Sequence, residues 1–289
     1  MANTLSASLL NDVILETTQV ALQDRLAPFR AFSMDFSSDM VQVPRGGQGP
    51  TSSIQIPFQT VAASTQTNAT NFESGDGTLV AKSLAAAHYS QSFHITQAHR
   101  NSGYKLENLI KLNAYTLANK LADVAFALVT TANYGAATVT SSAANFDETD
   151  LALLWAAIEK AMTKNVVLTG AYFAKFLPSD LRSFVPGQSA GAYGWDGFYH
   201  TSRMNAGSNV TGFACDPMAM GVGSALPVLD QEFANVIDQM TIPIPGLDGF
   251  TVQFNKWLSV STRTQWASFD VVFGAGVLDD SALKILVSA

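Results

Sequence analysis

Apolar residues recur at helical spacing over 8–26. Leu10, Ile14, Thr17 and Ala21 share one face, with Val13 and Val20 beside it. Pro28 is expected to end this helix, and the segment from Phe29 to Pro44, with Phe29, Phe32 and Phe36, has extended character. A helix on such an arm must bury its apolar face, either on its own domain or on a neighbour. The period then changes to two: Ile54, Ile56 and Phe58 alternate with Ser53, Gln55 and Pro57. Pro57 confines that strand to an edge or an end. A turn near Glu73–Gly77 leads into a return strand that includes HYSQSFHIT, so 50–100 reads as a long two-stranded excursion. A two-stranded ribbon alone is marginal in water and needs support from another surface.

Residues 104–132, YKLENLIKLNAYTLANKLADVAFALVTTA, carry Leu106, Leu109/Ile110, Asn113/Ala114, Leu117, Leu121, Val124 and Leu128 on one face, with no Gly or Pro. This predicts one helix of about 40 Å, long for a globular protein. A second helix starts at Asp147, with Asp150 placed as in a capping box, and runs through Leu151, Leu154, Ile158 and Met162. VVLTG at 166–170 reads as a buried strand, and AYFAKFL at 171–177 as a helix stopped by Pro178. A Gly-, Ser- and Tyr-rich loop is expected over 185–212, followed by strands in 212–228, 250–278 and 283–289. The class is α+β, with no internal repeat.

Composition adds one constraint. Of 289 residues, 47% are hydrophobic but only 13% charged, about half the ~25% usual for globular proteins. Interfaces between subunits deplete charge in this way; an extracellular β-rich protein, with Ser and Thr in place of Lys and Glu, would do so too. The stretch from Pro44 to Phe72 concentrates the effect: after Arg45 it has no charge until Glu73, and it is rich in Thr, Ser, Gln and Asn. It is too polar for a core and too uncharged for an ordinary solvated surface. The net charge of −7 argues against a chain whose main task is to grip nucleic acid. Cys215 is the single cysteine, so no internal disulfide can form. The first residues lack a basic region and a continuous apolar run, so no signal peptide is expected. No stretch approaches the ~18 apolar residues of a membrane span, and the sequons at Asn68 and Asn209 read as chance matches.

Candidate chemistry is sparse. Gly187-Gln-Ser189-Ala-Gly191 matches the G-x-S-x-G pattern, with Asp196 and His200 following in hydrolase order. That motif needs a strand before it and a helix after it; Pro186 precedes and AYGWDGFY follows, which favours a Gly/Ser loop. His88 and His94 would share a strand face with His99 on the other, and no carboxylate or cysteine stands at metal-ligand spacing. GVGSAL at 221–226 and GAGVL at 274–278 lack the full glycine fingerprint of a dinucleotide loop. Cys215 has no basic neighbour in sequence, and a buried structural thiol is the expectation. No catalytic residue, metal ligand or cofactor is expected.

The order of parts is the informative feature: helical arm, uncharged hairpin, very long helix, capped helix into VVLTGAYFAKFLPSD, Gly-rich loops, β-rich end. Together with YGWDGFYHTSRM and GFACDPMAMGVGSALP, it resembles the major capsid proteins of tailed bacteriophages, the HK97-like fold family. The resemblance covers essentially the whole chain and rests on layout, with no invariant motif. It implies an N-terminal arm and the start of the peripheral domain over 1–49, an E-loop hairpin over 50–103, and a peripheral domain with its spine helix over 104–146. An axial domain over 147–262 and C-terminal strands over 263–289 returning to the peripheral domain complete it. Neither a long N-terminal scaffolding-like domain nor an inserted domain is expected. Lys82 lies on the implied E-loop, but no acceptor Asn and catalytic Glu match it, so crosslinking is not expected.

The resemblance implies a shell of pentamers and hexamers, a portal protein, a scaffolding protein, a decoration protein, and enclosed double-stranded DNA without sequence-specific binding. It implies no membrane. In that family the E-loop lies across a neighbouring subunit, which accounts for the uncharged stretch: a charge there could be buried unpaired at a cost of several kcal/mol. Gly46, Gly47 and Gly49 would let it swing. An acidic wall would also let packed DNA slide. Intersubunit contact is expected at Leu10 and Ile14 on the arm, at Thr70, Phe72, Glu73, Asp76 and Thr78 on the hairpin, and at Gln188, Tyr193 and Trp195 in an axial loop. The rival readings are an encapsulin-type compartment, a serine hydrolase using Ser189, and an extracellular adhesin or fibre.

Overall fold

The computed structural model describes residues 7–34, 52–60, 78–158, 161–177, 194–204, 208–227, 236–259 and 264–289. Helix α1 (Ala7–Leu26) runs into a 3-10 turn at Ala27–Ala31. Strands β1 (Ser52–Thr60) and β2 (Thr78–Ile95) precede the short α2 (Gln97–Arg100) and the long α3 (Gly103–Phe126). After α4 (Thr131–Tyr134) and β3 (Val139–Thr140) come α5 (Glu148–Ala157), β4 (Asn165–Thr169) and α6 (Gly170–Phe173). The rest is strand: β5 (Gly197–Thr201), β6 (Val210–Cys215), β7 (Met220–Ala225), β8 (Val236–Pro243), β9 (Thr251–Ser259), β10 (Thr264–Val277) and β11 (Leu283–Val287).

Two sheets organise the chain. The first has six strands in the order β1-β2-β10-β9-β8, with β7 also on β10. Its axis is β10, whose Thr264–Asp270 pairs with β9 and Val272–Val277 with β7, while β2 covers the other side. The second sheet is mixed, in the order β3-β11-β6-β4-β5, with β4/β5 and β3/β11 parallel. Strands β7, β8 and β9, which fall within 147–262, therefore belong to the sheet of β2 and β10, and the C-terminal β11 belongs to the other.

The main core joins α1 and α3 to the first sheet. Phe29 and Phe32 are its pins: Phe29 stacks on Phe273 with ring centroids 5.6 Å apart, and Phe32 stacks on Phe213 at 5.6 Å. The extended segment expected after Pro28 is thus a 3-10 turn over 27–31, because Phe29 and Phe32 must both turn inward. Phe36 and the GGQG joint lie outside the described residues. A second core packs Leu151, Leu154 and Ile158 of α5 on Val166, Leu168, Ala214 and Leu286 of the second sheet.

Several boundaries differ from expectation. The long helix ends at Phe126 instead of 132. Thr130 accepts from the Asn133 backbone N–H and caps a new turn, and Asn133 Nδ2 donates to Leu128 O, so a separate short helix begins there. Its buried face is Leu106, Ile110, Ala114, Leu117, Ala118, Leu121, Ala122 and Ala125, close to that expected. Asp147 caps α5 as expected, with Oδ1 accepting from Thr149 N and Asp150 N. That helix stops at Ala157, and Met162, placed by periodicity on its buried face, is 98% exposed. The loop expected over 185–212 contains a strand, β5. It pairs parallel to β4 from Asn165↔Gly197 to Thr169↔Thr201.

Candidate assembly surface

The hairpin carries the clearest departure from self-contained packing. The β1/β2 register runs from Ser52↔Ala86 to Thr60↔Thr78. The β2/β10 register runs from Gln265↔Ile95 to Ala275↔Ala85. Strand β2 therefore pairs with β10 from Ala85 to Ile95 and has strands on both sides only at Ala85 and Ala86, among the described strands. From Thr78 to Leu84 it has, among the described strands, only β1 as partner. The ribbon is about 30 Å long at the usual strand rise, and Pro57 sits on β1 opposite Ala81, on an edge strand as expected.

Glycine sets the root of this ribbon. A Cβ on Gly276 would lie 2.8 Å from Ser83 O, and one on Gly274 would lie 3.0 Å from Ala85 O. Both glycines let the β2 backbone lie close over β10 at the point where the ribbon leaves the sheet. GAGVL is thus the end of β10, where its glycines mark close backbone approach, and GVGSAL begins on β7, so both glycine echoes are strands.

Beside the root lies a buried polar row. Asp270 Oδ2 accepts from Asn255 Nδ2 at 2.8 Å and from the Ser268 hydroxyl, and Asp270 Oδ1 lies 3.2 Å from His88 Nε2. Asn255 Nδ2 also reaches Gln253 Oε1 at 3.3 Å. The row crosses β2, β10 and β9, all on the face opposite Phe93, Phe269 and Phe254. His88 thus faces a buried carboxylate of its own chain. His99 accepts from the Thr96 backbone N–H at Nδ1, at the start of α2. The signal for this row was the lone carboxylate in the apolar run SFDVVF.

Beside the second sheet, Lys164 Nζ lies 3.3 Å from the centre of the Trp155 ring and donates to Trp155 O, while Trp155 Nε1 donates to Gly194 O. Asp196 accepts from the Lys164 backbone N–H at 2.8 Å. Trp195 is buried in the second core. Two cavities flank this region. One of about 590 Å³ lies between α5 and the turn before β11, with Asp216, Met218, Asp279 and Lys284 in its wall. The other, of about 280 Å³, lies beside Trp155.

The expected contact residues fall into three groups. Thr70, Phe72, Glu73, Asp76, Gln188 and Tyr193 lie outside the described residues. Thr78 opens β2 and Leu10 lies in α1, as backbone positions only. Ile14 and Trp195 are corrections: both side chains are buried within their own chain. The arm helix packs on α3, with Ala21 and Leu22 also buried and the Arg25 guanidinium 4.6 Å from the centre of the Tyr115 ring. Thr18 takes the buried position beside Ile14, and Val20, expected near the apolar face, is 64% exposed.

The hydrolase pattern gains no support. Ser189 lies outside the described residues, Asp196 is engaged by the Lys164 amide, and the His200 ring packs on Phe173 at 5.5 Å. Cys215 is fully buried, its Sγ 3.6 Å from Ala31 O, and burial, helped by Asp216, pushes the thiol well above its usual range. This agrees with a structural thiol. Among the described residues no cluster of His, Cys, Asp and Glu could hold a metal, and no helix is long and apolar enough to cross a membrane.

Among solved structures, a chain of Gordonia phage Cozz matches with a TM-score of 0.51 and 16% identity, over 92% of this chain and 87% of that one. A chain of Microbacterium phage Oxtober96 matches with a TM-score of 0.51 and 11% identity, over 91% of each. The fold is that of these phage chains. The virus-like particle from Pyrococcus furiosus matches with a TM-score of 0.48 and 13% identity, over 94% of this chain and 98% of that one. No family model and no curated protein matches the sequence. The likeness to the phage chains spans nearly the whole length of both partners, which is the extent expected from the sequence layout.

Proposed function

We propose that this chain is the major capsid protein of a tailed phage. It is the subunit from which an icosahedral shell of the HK97-like type assembles around double-stranded DNA, and it has no catalytic task. The observation that carries this reading is the β1–β2 ribbon, which leaves its own sheet at Ala85 and continues with two open edges among the described strands. Two strands do not sustain themselves in water, and open edges invite pairing with another chain. A neighbouring subunit supplies the missing surface. The phage likeness of the fold and the low charge of the chain point the same way.

On this reading the hairpin end, with Thr70, Phe72, Glu73, Asp76 and Thr78, lies across a neighbour, Leu10 adds a contact from the arm, and Gln188 and Tyr193 lie near the symmetry axes. Pentamers and hexamers form in the bacterial cytoplasm with a scaffolding protein. A portal protein occupies one vertex, and a decoration protein can bind outside.

The test is electron microscopy of the purified chain, alone and with its scaffold, after sizing chromatography. Closed shells some hundreds of ångströms across are expected, with nucleic acid inside when they are made in an infected host. Shells that carry a resident enzyme instead would make this a cargo compartment. A chain that stays monomeric under every condition would sink the reading.

A further inference from the structure

Helices α1 and α3 each present one exposed ridge to solvent. On α1 the ridge is Asp12, Glu16, Val20 and Asp24, spaced by four, and Val20 is 64% exposed. On α3 it is Tyr104, Asn108, Leu112, Thr116 and Lys120, also spaced by four, with Leu112 65% and Tyr104 75% exposed. Lys105 and Lys111 flank the second ridge, with Glu107 further round. The α1 ridge is acidic around one exposed valine, and the α3 ridge is basic around one exposed leucine. Among the described residues neither Asp12, Glu16, Lys105 nor Lys120 makes an ion pair. Asp24 lies 3.8 Å from its own Arg25, and Lys111 Nζ lies 5.6 Å from the centre of the Tyr115 ring. Three of nine lysines in a chain only 13% charged thus lie on α3, Lys120 in the ridge and Lys105 and Lys111 on its two flanks.

We propose that these two ridges bind each other between copies of the chain: the acidic face of α1 docks on the basic face of α3 of a second molecule. The inference rests on the shell reading for the need of a second copy, and on charge and spacing for its location. Rows spaced by four are the ridges through which helices most often interdigitate. With Val20 set on Leu112 and the helices antiparallel, Asp12 and Lys120 each lie eight residues, about 12 Å, from the apolar centre, on the same side. Asp24 then falls beside Asn108 with Lys105 next to it. Each copy carries both rows, so the same pair of surfaces recurs from copy to copy. Exposed ion pairs add little affinity, but they fix register and reject wrong partners. The exposed Val20 and Leu112 supply the apolar centre.

Charge exchange tests this on the full chain. Two variants, K105E/K111E/K120E and D12K/E16K/D24K, are each expected to melt like wild type and to lose at least tenfold in particle yield. The variant carrying all six changes is expected to recover yield to within a few-fold. Full yield from either reversed variant, or no recovery on combining them, overturns the proposal. Normal shells from the α3 variant with less nucleic acid inside would show that the lysines face nucleic acid, and would overturn it as well. A second measurement does not need shells. Val20→Cys and Leu112→Cys chains are mixed under mild oxidation, with Cys215 buried and unreactive. A mixed disulfide dimer in clear excess over either homodimer supports the contact, and its absence refutes it, whether or not the wild type forms shells. A wild type that never assembles refutes the shell reading alone.

Discussion

His88 on β2 reaches diagonally to Asp270 on β10, with Nε2 3.2 Å from Oδ1, although its direct cross-strand partner is Val272. Such diagonal neighbours are within reach of long side chains on a sheet face. Asp270 has no exposed surface, and its Oδ2 accepts from Asn255 and Ser268. Asp270→Ala removes the hub and leaves buried donors without an acceptor. The expected loss is about 2–4 kcal/mol of unfolding free energy, read by urea denaturation. His88→Ala should cost less, since His88 is partly open to solvent. A loss below about 0.5 kcal/mol for Asp270→Ala would mean the row does not brace the sheet.

The root of the ribbon makes a separate prediction. On Gly276 a Cβ meets a backbone oxygen, that of Ser83, which cannot rotate away. Gly276→Val should therefore push β2 off β10 where the ribbon departs. The expected destabilisation is about 1–3 kcal/mol, with a larger fall in particle yield than the melting shift alone would give. A variant of wild-type stability and yield would show that the close approach is not required.

How far the sequence revealed this can be argued from particular residues. Long periodic elements were legible: Leu106, Ile110, Leu117 and Leu121 mark the inner face of α3, and Asp147 marks the start of α5. Pro57 marked an edge strand. The arm misled because periodicity gives a face but not what covers it; Ile14 is covered by its own chain. Strand β5 was hidden because GFYHT is short and is stabilised by parallel pairing to β4, a contact distant in sequence. The Asp270 row was hidden for a similar reason. Its members sit at 88, 253, 255, 268 and 270, and only strand register brings them together. Of the candidate contacts, the hairpin was legible from absent charge, while the two charged ridges required knowing which helix faces remain exposed.

Cys215 predicts how stability depends on alkaline pH. An ordinary thiol titrates near 9.0, and burial holds this one protonated well beyond that. The raised folded value fixes the sign: below pH 9 both states keep the proton and the group contributes no pH dependence. Above it the unfolded chain loses the proton and the folded chain does not, so stability falls as pH rises, by about 1.4 kcal/mol per unit for one group. Tyr134, raised by burial from an ordinary value of 10.0, adds a second fall above pH 10. Cys215→Ala should flatten the slope between pH 9 and 10 and leave the later one. An unchanged slope in that variant would place the titrating group elsewhere.

Separating folding from assembly needs a variant that loses the ribbon and keeps the sheet. Ser53 and Ala85 are paired across β1 and β2, and Ala85 is also the last residue of β2 paired with β10. Replacing 54–84 by Asn-Gly joins those two positions through a two-residue hairpin turn of the favoured type. The residues lost include Leu84, which is buried over Gly276, so a small drop in stability is expected, about 1–2 kcal/mol. The shortened chain should remain folded, with the same near-ultraviolet circular dichroism, and should form no shells at any concentration or with any scaffold. If it assembles as well as wild type, the ribbon is not the part that holds neighbours together. If it unfolds outright, the ribbon is braced by its own subunit, and the two open edges of β1 and β2 are covered within the chain.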